Sequence, residues 1–242
     1  MSVLSVSSPA QTFWDRFEAR TAPYNLLTHP FYRAWTAGEL TRESLAFYAV
    51  EYWHHVSAFP TYLSALHTRL PDSELRREVL RNLAEEEGTD AASKRPHSEL
   101  WMDFAKGMGA TREQVLTHRI QPEMHALISK FRELMNASTP AALGALYAYE
   151  SRVPAIAAEK AAGLFKLYGA GAATVRYFTL HQTADVHHAQ VWRDLIDQQL
   201  ATAPAAEEET LHAAELAAQA LWAALDGVER VRSNEGLSGP AC

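Results

Sequence analysis

The chain has 242 residues, 48% hydrophobic and 21% charged, an ordinary balance for a globular protein with a substantial core. A formal charge of −7 argues against nucleic acid as a partner, and no apolar run approaches the ~20 residues of a membrane span. The one cysteine, Cys242, leaves no disulfide framework, thiolate metal site or internal cysteine nucleophile, and the first residues lack a basic segment leading into an apolar one, so a cytoplasmic location is expected.

The periodicity is helical almost throughout, with no alternating β-branched run, which predicts an all-α fold. A first helix is expected over residues 9–22, with Phe13, Trp14 and Phe17 on its apolar edge. His29-Pro30 opens a short helix closed by Gly38, and Thr41 caps a long one through about residue 69, with a kink expected at Pro60. Pro71-Asp72 restarts the chain into a helix ending near Gly88, followed by a polar loop over 89–96. Helices follow from residue 97 to Gly107, after Thr111, and from Pro122 to about Met135. Ser138-Thr139-Pro140 starts a helix to about Tyr168, interrupted or bent at Pro154, and Gly169 and Gly171 precede another to about Leu200. After a short ATAPAA linker a final amphipathic helix runs to about residue 231, and 232–242 reads as a disordered tail. The expectation is one domain over 1–242, ordered from about 9 to 231, a bundle of eight or nine helices.

Inward-facing polar residues mark the chemistry. His181, Asp185 and His188 stand at i, i+4 and i+7, within roughly 60° of one another on a helix. That face continues as Trp192 and Leu195, so it points into the core. Two imidazoles and a carboxylate buried together need a partner, and a transition metal or a hydrogen-bonded polar cluster would serve. In LRREVLRNLAEEEG the phase of Leu75, Val79, Leu80 and Leu83 turns Glu86 inward, with Glu87 next and Glu85 facing away. In LGALYAYESRVPAIAAEK, Glu150 occupies a core position, to be ligated or salt-bridged, and Lys160 shares the apolar side, either buried or snorkelling. His97 opens a helix carrying Leu100, Trp101 and Phe104, where it could cap or ligate. Helical bundles with carboxylate-rich cores supplemented by histidine host dinuclear iron or manganese centres.

The segments LTHPFYRAWTAGELTRESLAFYAVEYW, AFPTYLSALHTR, NLAEEEG, HSELW, ALYAYESRVPAIAAEK and YFTLHQTADVHHA, spread over residues 25–200, resemble the haem-oxygenase-like di-metal oxidases. The resemblance is to the CADD-like branch, named for a chlamydial protein associating with death domains and related to the TenA/PqqC group. It implies a haem-oxygenase-like fold and six metal ligands at Glu86, His97, Glu150, His181, Asp185 and His188, the set that helical phase also nominates. It further implies an Fe/Fe or Mn/Fe centre, O2 and an external reductant as co-substrates, a homodimer, and synthesis of p-aminobenzoate for folate. In that branch a core tyrosine supplies the ring and a lysine the amine, corresponding here to Tyr32 and Lys160, while Tyr149 and Tyr177 match tyrosines that could relay electrons or form radicals.

Other readings follow from the same fold. Thiaminase-like relatives use an internal cysteine, which is missing here. The cofactor-free oxidase of pyrroloquinoline quinone synthesis lacks this ligand set. A haem ligand could be sought at His29, but that leaves the six residues unexplained. The nearest alternative is a di-iron oxygenase or desaturase acting on a diffusible amino acid, amine or fatty acid. A non-enzymatic interaction protein is the second.

Overall fold

A computed structural model describes residues 11–71, 73–89 and 94–234. Those residues form eleven α-helices and three short 3-10 turns, with no strand among them. The helices are α1 Phe13–Thr21, α2 Pro30–Ala37, α3 Arg42–Arg69, α4 Glu74–Glu86, α5 His97–Gly107 and α6 Arg112–Thr117, then α7 Pro122–Asn136, α8 Thr139–Glu150, α9 Val153–Lys166, α10 Ala172–Thr202 and α11 Glu207–Asn234. No helix is long and apolar enough to cross a membrane among these residues.

Local chemistry sets most boundaries. Thr41 accepts from Ser44 N at the start of α3, and Thr111 and Gln114 form a reciprocal capping box on α6. His29 caps α2 by accepting Phe31 N on Nδ1, and its Nε2 pairs with Asp226, so both ring nitrogens are engaged away from any haem. Gly38 ends α2 with φ 76°, a left-handed conformation that glycine adopts without a Cβ clash.

The structure departs from the sequence expectation in the number of helices and in where the last one ends. Among the described residues there are eleven α-helices rather than eight or nine, the 139–168 segment being two of them. That segment is interrupted at Ser151-Arg152, the first of the two outcomes expected from Pro154: the proline ring excludes the carbonyl four residues earlier, which is that of Glu150, the last residue of α8. Helix α3 runs unbroken through Pro60. Helix α11 reaches Asn234, into the expected tail; residues 235–242, and 90–93 of the expected loop, lie outside the described residues.

One contiguous apolar core joins the helices. Helix α11 packs on α7 and α8, α3 packs on α4, α5 and α7, and α10 packs on α4, α5, α8 and α9. The α8–α11 contact is close enough that a Cβ on Gly144 would stand 2.4 Å from the Thr210 carbonyl oxygen. Gly144→Ala is therefore expected to destabilise the fold by about 1–3 kcal/mol, measured as a lowered urea midpoint with an unchanged slope. The α4, α5, α8 and α10 faces converge on the polar residues singled out above.

Candidate metal centre

All six polar residues are buried, each between 1% and 6% exposed, and each is brought in by helical phase. They sort into two triads. Glu86 from the end of α4, His97 from the start of α5 and His181 from α10 have ligand atoms within 4.8 Å of one another, and so do Glu150 from the end of α8 with Asp185 and His188 from α10. Because α10 supplies three residues along one stripe, it contributes to both triads.

Hydrogen bonds hold the groups in orientation. His181 Nδ1–H donates to the Tyr177 carbonyl at 2.7 Å, leaving Nε2 to face the triad, and the Tyr177 ring stacks on the imidazole at 4.0 Å. Glu150 accepts from Asn82 Nδ2 at 2.9 Å and from the Trp192 indole N–H. His188 Nε2 lies 3.0 Å from Glu85, which turns its Nδ1 toward Asp185 and Glu150, 3.5 and 3.6 Å away. Glu85 thus packs against the site from outside rather than facing away as helical phase alone suggests. Glu86 is the glutamate inside, and Glu87 is exposed.

The donor set fits a pair of divalent cations. His97 Nδ1 is 2.9 Å from Glu86 but not aligned as a hydrogen bond, and Asp185 Oδ2 and His188 Nδ1 also lack hydrogen-bond partners. Buried donor atoms that converge without aligned hydrogen bonds are costly unless a cation sits among them. The titration of the groups points the same way. Burial opposes charge on His188, yet the carboxylates of Asp185, Glu150 and Glu85 around it push it up to about 12. Burial also raises Glu86, but His97, His181 and His188 outweigh it and hold the carboxyl below its ordinary value. Burial raises Asp185 and lowers His181. The site favours positive charge strongly, and its two-histidine, one-carboxylate triad is the donor pattern of non-haem iron.

A cavity beside the triads is lined by Glu86, Glu150, His181, Asp185, Tyr149 and Tyr177 among others. Tyr149, Tyr177 and Val153 also line a second chamber that holds Tyr32, Tyr48, Tyr52 and Trp101. Tyr32 and Lys160, residues on different helices, meet beside it: Lys160 Nζ lies 3.2 Å from the Tyr32 ring centroid and 4.6 Å from that of Trp35. Lys160 is fully buried, not snorkelling, and its amine has no hydrogen-bond partner. Burial depresses its pKa well below the usual lysine range, so the amine is held toward its neutral form. The Tyr32 hydroxyl bonds that of Tyr48 at 2.8 Å, and burial raises its pKa. Sequence reasoning missed Asn82, Tyr48 and Tyr52, and it turned Glu85 away from the site, because these contacts arise only from residues packed across helices.

The iron-containing redox enzyme family matches residues 46–222. This chain belongs to that family. Within it, a 4-aminobenzoate synthase of Nitrosomonas europaea is 40% identical over 90% of this chain and 91% of its own length. A 4-aminobenzoate synthase of Chlamydia pneumoniae is 36% identical over 76% of this chain and 82% of its own. A solved CADD-like protein of Nostoc punctiforme superposes with a TM-score of 0.67 at 15% identity, covering 88% of this chain and 97% of its own, which speaks to the haem-oxygenase-like fold alone. The chain is an oxidoreductase with a candidate dinuclear metal centre, and the interaction-protein alternative gives way to that reading.

Proposed function

We propose that this enzyme makes p-aminobenzoate from its own Tyr32 and Lys160, with Glu86, His97, Glu150, His181, Asp185 and His188 as metal ligands and O2 and an external reductant as co-substrates. The observation that carries this reading is the unpartnered, buried amine of Lys160, 3.2 Å from the ring centroid of Tyr32, which lines the chamber adjoining the metal pocket. The named activity of the 4-aminobenzoate synthases supports the same product.

The product has a carboxyl and an amine at opposite ends of one ring. Tyr32 has a methylene carbon and a hydroxyl at those positions. The conversion therefore breaks the Cα–Cβ bond, oxidises Cβ to a carboxyl, and replaces the ring C–O bond with a C–N bond to Lys160 Nζ. Lys160 gives up that nitrogen by breaking its own Cε–N bond, Cε ending as an aldehyde; the ring oxygen leaves as water, and Cα of residue 32 takes a hydrogen in place of Cβ. When bound, the metal pair supplies the O2-driven oxidising equivalents.

The protein's part is positional and electrostatic. Burial holds the amine toward its neutral form, and Tyr32 and Trp35 pack around it, with Nζ 3.2 Å from the Tyr32 ring centroid, so that the nitrogen is positioned over the ring. Tyr48 accepts or donates the phenolic proton of Tyr32 across a 2.8 Å hydrogen bond. Tyr149 and Tyr177, lying between the two cavities, are placed to relay electrons between metals and chamber. The unequal donors favour iron at the two-histidine triad and make the Glu150–Asp185–His188 triad the one to take manganese in a mixed centre. The same reading includes a homodimer, for which sedimentation velocity should return twice the mass of one chain.

The decisive experiment is aerobic loading of the purified protein with iron and reductant. Chromatography should show p-aminobenzoate, and peptide mass spectrometry should show mass lost at Tyr32 and Lys160. An unchanged peptide map with no product would defeat the proposal. A separate expectation concerns the ligands: two metal ions per chain in the wild type, falling to about one in Glu86→Ala or Glu150→Ala by elemental analysis, since each change removes one of three donors from one triad.

A further inference from the structure

A ring cut from Tyr32 must leave a chamber in which Tyr32 and Lys160 are both buried. A third cavity adjoins that chamber and shares Leu26, Tyr149 and Ile156 with it. On its far side lie Thr21, Tyr24 and Arg152. Arg152 is the only charged residue among those lining this cavity, and its side chain is 33% exposed, so the guanidinium stands where the cavity meets solvent.

We propose that this cavity is the passage for an aromatic carboxylate between the Tyr32 chamber and solvent, with Arg152 as its carboxylate-binding residue. The inference rests on the reading of the enzyme as a maker of p-aminobenzoate. The chemistry of the lining suits such a ligand: aliphatic and tyrosine walls for the ring, and one planar, permanently charged fork for the carboxylate. Arg152 already holds a carboxylate there. Its Nη2 lies 2.5 Å from Glu18 Oε2 and 3.4 Å from Thr21 Oγ1, so Glu18 of α1, which does not line the cavity, holds the guanidinium from its exposed side and competes there with a ligand carboxylate. The Glu18 side chain is 57% exposed, and an ion pair that open to water is weak enough for a ligand carboxylate to displace.

The position of Arg152 follows from the fold. Arg152 is the N-cap residue of α9, in the break between Glu150 of the candidate metal triad and Val153, which lines both inner cavities.

The test is equilibrium binding of added p-aminobenzoate and of its uncharged amide to the full-length protein, followed by tryptophan fluorescence or calorimetry. Arg152→Ala should weaken the acid by about tenfold or more and leave the amide within about twofold. Arg152→Lys should recover part of the acid's affinity, and Glu18→Gln, a change at an exposed position, should tighten the acid by removing its competitor. Equal loss of acid and amide in Arg152→Ala, or no effect of Glu18→Gln on the acid, would overturn the proposal. These titrations need no turnover. Loss of product and of the Tyr32 mass change, with carboxylate-selective binding retained, would sink the self-sacrificing reading while leaving the passage in place.

Discussion

Tyr32→Phe is expected to lower p-aminobenzoate yield by ~100-fold or more, the size of effect found when a group taking part in the chemical step is removed. The ring and its packing remain, but phenylalanine has no hydroxyl to lose as a proton and no C–O bond to exchange for nitrogen. The structural cost is bounded. The Tyr48 hydroxyl loses its 2.8 Å partner in a buried setting, worth about 1–3 kcal/mol, and the core contacts of the ring to Trp35 and Tyr48 persist. Metal content and cooperative unfolding should therefore survive while product and the mass change at position 32 vanish. An oxygenase or desaturase acting on a diffusible substrate would keep its rate in this variant, so a Tyr32→Phe protein with wild-type oxygen consumption and product would decide against self-sacrifice.

Lys160→Met should abolish product and, in the same protein, raise stability at pH 7 by about 1–4 kcal/mol, because an unpaired amine buried over two aromatic rings is exchanged for an apolar chain of similar length. The pH dependence identifies the cause. The lysine has its ordinary pKa of about 10.4 in the unfolded chain and a lower one when folded. Between those two values the unfolded chain binds one more proton than the native protein. Wild-type stability in that window rises with pH, by up to about 1.4 kcal/mol per unit from this group. Below the folded value both states are protonated and this slope disappears; above the unfolded value both are neutral. The advantage of Lys160→Met over wild type, read from urea unfolding at a series of pH values, should thus shrink as pH rises toward 10. A constant difference would mean that the lysine is charged or paired when folded.

Much of this protein is legible in its sequence. Caps such as Thr41 and Thr111, the left-handed turn at Gly38 and the apolar spacing of each segment determine an all-helical chain, because they act within a few residues. Helical phase likewise turns His181, Asp185 and His188 to one side and selects Glu86 from three consecutive glutamates, since a fixed rotation per residue needs no knowledge of the neighbours. What phase leaves open is which residues share a metal. The division into Glu86–His97–His181 and Glu150–Asp185–His188, and the turn of Glu85 toward His188, depend on how far α4, α5 and α8 advance along α10, a matter of packing. The same holds for Lys160. Spacing allowed it to be either snorkelling or buried, and only the seating of α9 against α2, where Gly163 brings the helix close to Trp35, puts its amine over the Tyr32 ring. The sequence by itself determined the helices, the inward polar stripe and the chemical types available to it. The tertiary structure decided which of those groups meet, because contacts between residues 128 positions apart follow from interhelical packing rather than from any local rule.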